Sequence, residues 1–329
     1  MEEIPPLEQI PEGKNSFEEQ WSNPDHVIVG DEEFDIYEAS PENGGEKSKV
    51  PIVIGMGFGE ISQSHINNAR ELVKMGRKVI CPDTPHGISS SKRQNILPAG
   101  KENSDYDKIE LDKMASLLET LKAKGIEIKD GQETGKAVLL ARSEGAIFSI
   151  LLAYLYPELV KDLILTNPAG LSGKTTKGTF ALHEIQDRKQ AIMNEYKEKS
   201  PAPPNTNVDF FEVLRRDLSA TTSSILAISR SDIREMLKDV RAHGIGVVVI
   251  HTTDDKMFPI ARLAGEVVPD PMSVTGKETI IPELTAEHVD GFWPLEGTHV
   301  SYFNDPKKFS FVIDQAISAL DEKRKRRKN

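Results

Sequence analysis

The chain has 329 residues, 38% of them hydrophobic, enough for one large α/β domain with an insertion or for two ordinary domains. A formal net charge of -11 argues against nucleic acid as a main partner, which needs a basic face, and no apolar run reaches membrane-spanning length. The single cysteine, Cys81, excludes an internal disulfide and fits a reducing compartment; with an acidic, proline-bearing N-terminus in place of a signal peptide, a cytoplasmic protein is expected.

In chain order, the alternating stretch from His26 to Glu38, broken by Gly30-Asp31, predicts a β-hairpin. Val50 to Ile54 reads as a short buried strand ending in the glycine loop Gly55-Met56-Gly57-Phe58-Gly59. Ile66, Ala69, Leu72 and Val73 then recur at helical spacing, with Gly76 where a helix C-cap belongs. Strand Lys78 to Cys81, which packs the cysteine into the core, leads into a loop through Asp83-Thr84-Pro85-His86-Gly87. The next helix carries Ile109, Met114, Leu117, Leu118 and Leu121 as its apolar stripe. Strand Ala137 to Leu140, an apolar helix from Ala146 and strand Val160 to Thr166 follow. Repeated strand and helix units with buried strands imply a mostly parallel sheet covered on both faces, with the strands' C-terminal ends along one edge. Ligands bind along that edge.

The rhythm breaks between Leu171 and His243. Helical spacing without a convincing strand runs near Phe180 to Lys197, Asp209 to Leu218, Ser223 to Arg230 and Ser231 to Arg241, an insertion suited to cover the ligand edge as a lid. The sheet resumes at Gly246 to His251, a further strand is expected near Val289 to Trp293, and a helix from Asp305 to Leu320 closes the fold. This divides the chain into a lead (1–25), a core (26–170 and 244–320), a helical lid (171–243) and a basic tail (321–329). The block Lys323 to Lys328 is expected to be solvated and disordered, the alternative being weak contact with an anionic membrane surface or RNA.

Ser143 lies where an apolar strand stops and an apolar helix begins, in Ala141-Arg142-Ser143-Glu144-Gly145. A turn that tight requires small residues two before and two after the serine, and Ala141 and Gly145 supply them. A reactive serine also needs a neutral imidazole to take its proton and a carboxylate to fix the imidazole tautomer. Strand Val247 to Ile250 opens into Thr252-Thr253-Asp254-Asp255, which offers either aspartate at a strand tip. Glu296-Gly297-Thr298-His299 places a histidine just before the last helix. Of the other histidines, His251 lies in or just after a strand, and His288 precedes the last strand and so starts at the wrong edge. His86 sits in a loop at the ligand edge, where it is a candidate substrate contact. His26, His65, His183 and His243 show no pairing with an acid at ligand spacing, so neither a metal nor another cofactor is expected.

With Ser143, the aspartate pair and His299 in that order, the chain resembles the α/β-hydrolase superfamily from about Val27 to Leu320. The run Asp83 to Ser89 looks like that family's loop after its fourth strand, and Asp255 with Pro259 four residues on looks like its acid loop. The resemblance implies an α/β-hydrolase fold with a helical lid, in which Ser143 is the nucleophile, His299 the general base and then acid, and Asp255 the orienting carboxylate. Two departures stand out: Met56-Gly57 replaces the His-Gly of many members, and Ala141 replaces the glycine that opens the serine turn.

An attacked carbonyl becomes an oxyanion, which needs preorganised N–H donors. The backbone N–H of Glu144, at a helix N-terminus, and that of Phe58 in the glycine loop are the candidates. Met56 and Gly57 line the same loop, Gly57 allowing close backbone approach to substrate. The side chains of Arg142 and Glu144 are expected to pair with neighbours rather than read substrate. Apolar lid residues such as Phe180, Ile192, Phe210 and Leu226 favour a small-molecule carboxylic ester with an apolar acyl group. Thioesterase, C–C bond hydrolase or aminopeptidase activity are alternatives on the same fold, as is a non-catalytic receptor or scaffold. Nothing in the pattern specifies an oligomeric state.

Overall fold

The computed structural model describes residues 16–42, 45–84, 86–88, 97–98, 101–102, 106–129, 132–133, 135–171, 217–260, 263, 268–269, 278–279 and 284–328. Its frame is an eight-stranded sheet of β1 (Asp25–Val29), β2 (Glu32–Ala39), β3 (Ile52–Gly55), β4 (Val79–Pro82), β5 (Ala137–Arg142), β6 (Val160–Thr166), β7 (Gly246–Thr252) and β8 (Gly291–Leu295). The spatial order is β1-β2-β4-β3-β5-β6-β7-β8. The β1–β2 hairpin and the β2–β4 pair are antiparallel, and every pairing from β4 to β8 is parallel. Among the described residues, two short two-stranded antiparallel pairs, Ile128–Lys129 with Gln132–Glu133 and Val268–Pro269 with Glu278–Thr279, lie outside this sheet.

Both faces are covered, and the two-residue period of the strands sorts their side chains between two hydrophobic layers. Val53, Ile80, Leu139, Leu163 and Val247 pack with α3 (Lys108–Ala123), α4 (Gly145–Leu155) and α6 (Arg234–Ala242). Their neighbours Ile52, Val79, Val138, Ile164 and Val248 face α1 (Phe17–Ser22), α2 (Ile66–Lys74) and α8 (Pro306–Lys328). Cys81 sits in the second layer, fully buried, and burial with the nearby Asp83 charge pushes its thiol well above the ordinary value. Gly76 ends α2 in the left-handed region, at φ +85°, as a C-cap glycine does. Among the described residues no helix is long and apolar enough to cross a membrane.

The expected lid falls largely outside the described residues, including the helices expected near Phe180 to Lys197 and over most of Asp209 to Leu218. What is described departs from the pattern reading at Leu218, which opens a helix instead of ending one. Asp217 is the cause: its carboxylate accepts the Ala220 N–H at 2.8 Å and caps α5 (Leu218–Arg230). Helix α6 lies against α4, with Leu237 and Val240 buried in the core layer. The short helix α7 (Ser301–Asn304) precedes α8.

The C-terminal block is not disordered as expected, because α8 continues to Lys328. Its first cations are taken up by acids, two of which, Asp290 and Asp162, lie far away in sequence. Lys323 Nζ meets Asp290 at 2.7 Å, while Arg324 pairs with the fully buried Asp162 and, at 2.9 Å, with Asp321. Arg324→Ala strands the Asp162 carboxylate and is expected to cost about 2 kcal/mol, less than for a fully enclosed pair because the guanidinium is partly open to solvent. Arg326→Ala, whose partner Glu322 is exposed and 3.8 Å away, should stay within about 0.5 kcal/mol of wild type. Urea midpoints measured side by side distinguish the two.

Candidate active site

Ser143 occupies the tip of β5 at φ +50°, a left-handed conformation that a non-glycine residue adopts at a cost of about 1–3 kcal/mol. The turn is held by its own backbone. The Ser143 N–H donates to the Thr166 carbonyl at 3.0 Å, and the Ser143 carbonyl accepts from Ala146 and Ala169 at 3.1 and 3.0 Å. Helix α4 starts two residues later, so close to the end of β3 that a Cβ on Gly145 would overlap the Gly55 carbonyl. Glycine is obligatory there for space.

His299, 3% exposed, reaches the serine from the loop between β8 and α7. Its Nε2 lies 3.1 Å from Ser143 Oγ and its Nδ1 2.7 Å from Asp255 Oδ2. The other Asp255 oxygen accepts the Met257 and Phe258 N–H groups, each at 2.9 Å. Burial alone would raise the Asp255 carboxyl; electrostatic attraction to the His299 ring and its hydrogen bond, with His251 and the Phe258 N–H, outweigh it and hold it below the ordinary carboxylate value. An ionised Asp255 only accepts, so Nδ1 carries the imidazole proton and Nε2 is left to accept from the serine hydroxyl. Asp254, exposed on the turn beside it, has its N–H on the Gly297 carbonyl. His251 donates from Nε2 to the Phe258 carbonyl at 2.6 Å, tying down the same turn, and burial lowers its pKa.

The glycine loop after β3 is buried against this constellation, with Phe58 and Gly59 forming its turn. A set of buried polar groups that the sequence pattern did not mark surrounds it. The Gly57 N–H donates to Glu60 Oε2 at 2.5 Å, and His65 Nε2 lies 3.0 Å from the same oxygen. Complete burial lowers His65 to about 3, so it is neutral. The other Glu60 oxygen pairs with Arg142 Nη1, and Arg142 Nη2 donates to the His299 carbonyl at 2.9 Å. Asn167, at φ +44°, also donates to that carbonyl, at 3.2 Å, and accepts the Thr252 N–H at 2.8 Å. Beside the serine, Glu144 Oε2 meets Lys113 Nζ at 2.6 Å, and Lys113 also donates to Ser224 of α5 at 3.1 Å. Arg142 and Glu144 thus do pair with neighbours.

The structure therefore brings together Ser143, Asp255 and His299, with Glu144 and the Met56–Phe58 loop alongside. Met56 and Gly57 line a small cavity with Ile54, Lys113, Leu117 and Phe148. His86 is placed elsewhere: it lines a cleft between α3 and α5 with Asp107, Asp217 and Arg230, none of them a triad residue. His288 lies before β8, its Nδ1 accepting the Thr285 N–H at 3.1 Å. His183 lies outside the described residues. Among the described residues no group of three His, Cys, Asp or Glu side chains is placed to hold a metal ion.

No protein-family model and no curated protein sequence matches the chain. Solved structures do. A bromoperoxidase from Bacillus anthracis matches with a TM-score of 0.56 at 17% identity, over 90% of this chain and 100% of its own. A hydrolase from Pseudomonas aeruginosa PA01 matches at 0.58 and 14%, over 90% and 98% of the two chains. A thermophilic esterase from Thermogutta terrifontis matches at 0.53 and 16%, over 91% and 99%. With the strand order above, these likenesses establish that the chain has the α/β-hydrolase fold.

Two stability measurements check the geometry. Gly145→Ala forces a methyl group into the β3 backbone, which cannot yield as a side chain would, and should cost about 3 kcal/mol or more by denaturant unfolding. Glu110 on α3 is raised to about 7 by burial, against the Ser231 hydrogen bond and with Asp107 and Glu144 adding to the rise. A carboxyl with a raised folded-state pKa contributes stability below its unfolded value that is lost as pH rises through the folded one. Wild type should therefore weaken relative to Glu110→Gln between about pH 5 and about pH 7, as read from paired unfolding midpoints.

Proposed function

We propose that this α/β-hydrolase fold serves a serine hydrolase that cleaves a small carboxylic ester through Ser143, His299 and Asp255. The observation that carries the reading is the unbroken chain of hydrogen bonds from Ser143 Oγ to His299 at 3.1 Å and from His299 to Asp255 at 2.7 Å. In this reading His299 Nε2 accepts the serine proton as Oγ attacks the ester carbonyl. The tetrahedral oxyanion is met by the Glu144 N–H, at the N-terminus of α4, and by the Phe58 N–H. Collapse expels the alcohol, which takes its proton from His299, and leaves an acyl-serine. Water, deprotonated by His299, attacks that ester and releases the acid. No metal or organic cofactor enters the cycle.

An ester is favoured over other acyl compounds by the esterase among the structural neighbours and by the buried apolar side chains of Met56, Phe58 and Phe148 at the glycine loop. A cytoplasmic setting is part of the same proposal and rests on the lone buried cysteine. A fluorophosphonate probe should label wild type at Ser143 alone, located by mass spectrometry, and leave Ser143→Ala unlabelled. Turnover of a p-nitrophenyl ester should fall by about 10⁴ or more in kcat for Ser143→Ala and His299→Ala, and comparably for Asp255→Asn. Full turnover in Ser143→Ala would overturn the reading.

A further inference from the structure

We propose that Glu60 and Arg142 are positioning residues, a buried ion pair that locks the glycine loop and the His299 loop into one rigid unit around Ser143. The inference rests on the serine-hydrolase reading above and assigns a role to a pair outside its triad. Both side chains are 5% exposed, and their hydrogen bonds run to the Gly57 N–H and the His299 carbonyl. What they hold is the backbone on either side of Ser143.

Glu60 acts on the loop that carries Phe58. Its Oε2 accepts the Gly57 N–H at 2.5 Å, which fixes the orientation of the peptide immediately before the Phe58 amide. The carboxylate lies so flat beneath the loop that a Cβ on Gly57 would stand 2.5 Å from Oε1, 2.8 Å from Cδ and 3.0 Å from Oε2. A side chain at position 57 would have to displace the Glu60 carboxylate from the Gly57 N–H. His65 completes the support at 3.0 Å, itself 3.3 Å from the Tyr302 hydroxyl.

Arg142 transmits the constraint. One guanidinium nitrogen is on Glu60 and the other donates to the His299 carbonyl at 2.9 Å, so a single planar group spans the two loops. Its plane is steadied from α7, with Cζ 4.4 Å from the Phe303 ring centre and 5.7 Å from that of Tyr302. Burying two charges is justified energetically only when each is well paired and hydrogen-bonded, and an apolar filler of equal volume would serve stability as well. It would not set the direction of a peptide N–H or of an imidazole ring. Arg142 also directly precedes Ser143 in β5, so the nucleophile, its base and one proposed oxyanion donor are all referred to one ion pair.

A pair acting only through geometry should affect the transition state more than the bound substrate. In full-length Glu60→Gln and Arg142→Lys, kcat per fluorophosphonate-titrated site is expected to fall about 10- to 100-fold with KM within about threefold. Affinity for an alkylboronic acid, which forms a tetrahedral adduct on the serine, should fall in step with kcat/KM. The Glu60→Gln/Arg142→Lys double variant should be no worse than the poorer single by more than about threefold, because the residues act as a unit. If kcat per titrated site stays within about threefold of wild type in both singles, or if the loss lies entirely in KM or in the number of titratable sites, the pair is structural and the inference is wrong. Should Glu60→Gln fail to fold, Arg142→Lys retains the buried cation and carries the same test. Retained turnover in Ser143→Ala would be a different failure, overturning the triad reading and this inference with it.

Discussion

The close approach of α4 to the end of β3 sets everything else at the C-terminal edge of the sheet. Gly55 and Gly145 face each other with no room for a Cβ on the helix side, so the chain must turn from β5 into α4 within two residues. That demand puts Ser143 into a left-handed conformation and its hydroxyl at the strand tip. Backbone hydrogen bonds to Thr166, Ala146 and Ala169 hold a conformation that the serine would not adopt alone. The same approach brings the glycine loop after β3 beside the first N–H groups of α4. One packing constraint thus creates both a raised hydroxyl and a place where negative charge is welcome.

Around this turn the interior holds buried charged groups. Asp255–His299, Glu60–Arg142 and Lys113–Glu144 are each buried and each pair residues from different elements. Apolar packing excludes water and holds layers together, but it is non-directional. Charged hydrogen bonds supply direction at the expense of desolvation. At this edge they supply orientation, while the helical layers are built mainly from Leu, Ile, Val and Phe, and further pairs on buried aspartates, Arg77–Asp314 and Arg324–Asp162, anchor α8. Lys113 and Glu110 extend the ionic region outward, meeting Ser224 and Ser231 at either end of the contact between α3 and α5.

The sheet was legible because its signals are local. Short β-branched runs, glycine loops and helical stripes each lie within a dozen residues, and their alternation leaves few topologies open. Ser143, the Asp254-Asp255 pair and His299 could be nominated since each lies at a strand tip or in a loop at the ligand edge, and the family resemblance then singled out Asp255. Glu60, His65, Asn167 and Lys113 gave no such sign. Glu60 meets Arg142 across 82 positions and Glu144 meets Lys113 across 31, and among 52 acidic residues nothing local selects a partner. The one clue was Arg142 itself, a cation closing an otherwise apolar strand, which demands a buried acid somewhere. The C-terminal block misled for a related reason: a run of cations reads as a solvated tail, while the acids that accept the first of them, Asp162 and Asp290, lie in and before distant strands. His86 was nominated by its loop alone, and it lines the cleft with Asp107, Asp217 and Arg230.

Cys81 gives the molecule a practical property. It is the chain's single thiol, enclosed in β4 between strands, and its pKa is driven up, so the nucleophilic thiolate is both scarce and unreachable in the native state. A cysteine introduced at any exposed position would then be the sole site for maleimide chemistry, with no native thiol to remove first. The protein is in effect a ready background for paired spin labels or fluorophores, one on the sheet and one on α5, with which distances across the cleft can be followed during turnover. Conversely, modification of Cys81 itself would report that β4 has come apart from its neighbours.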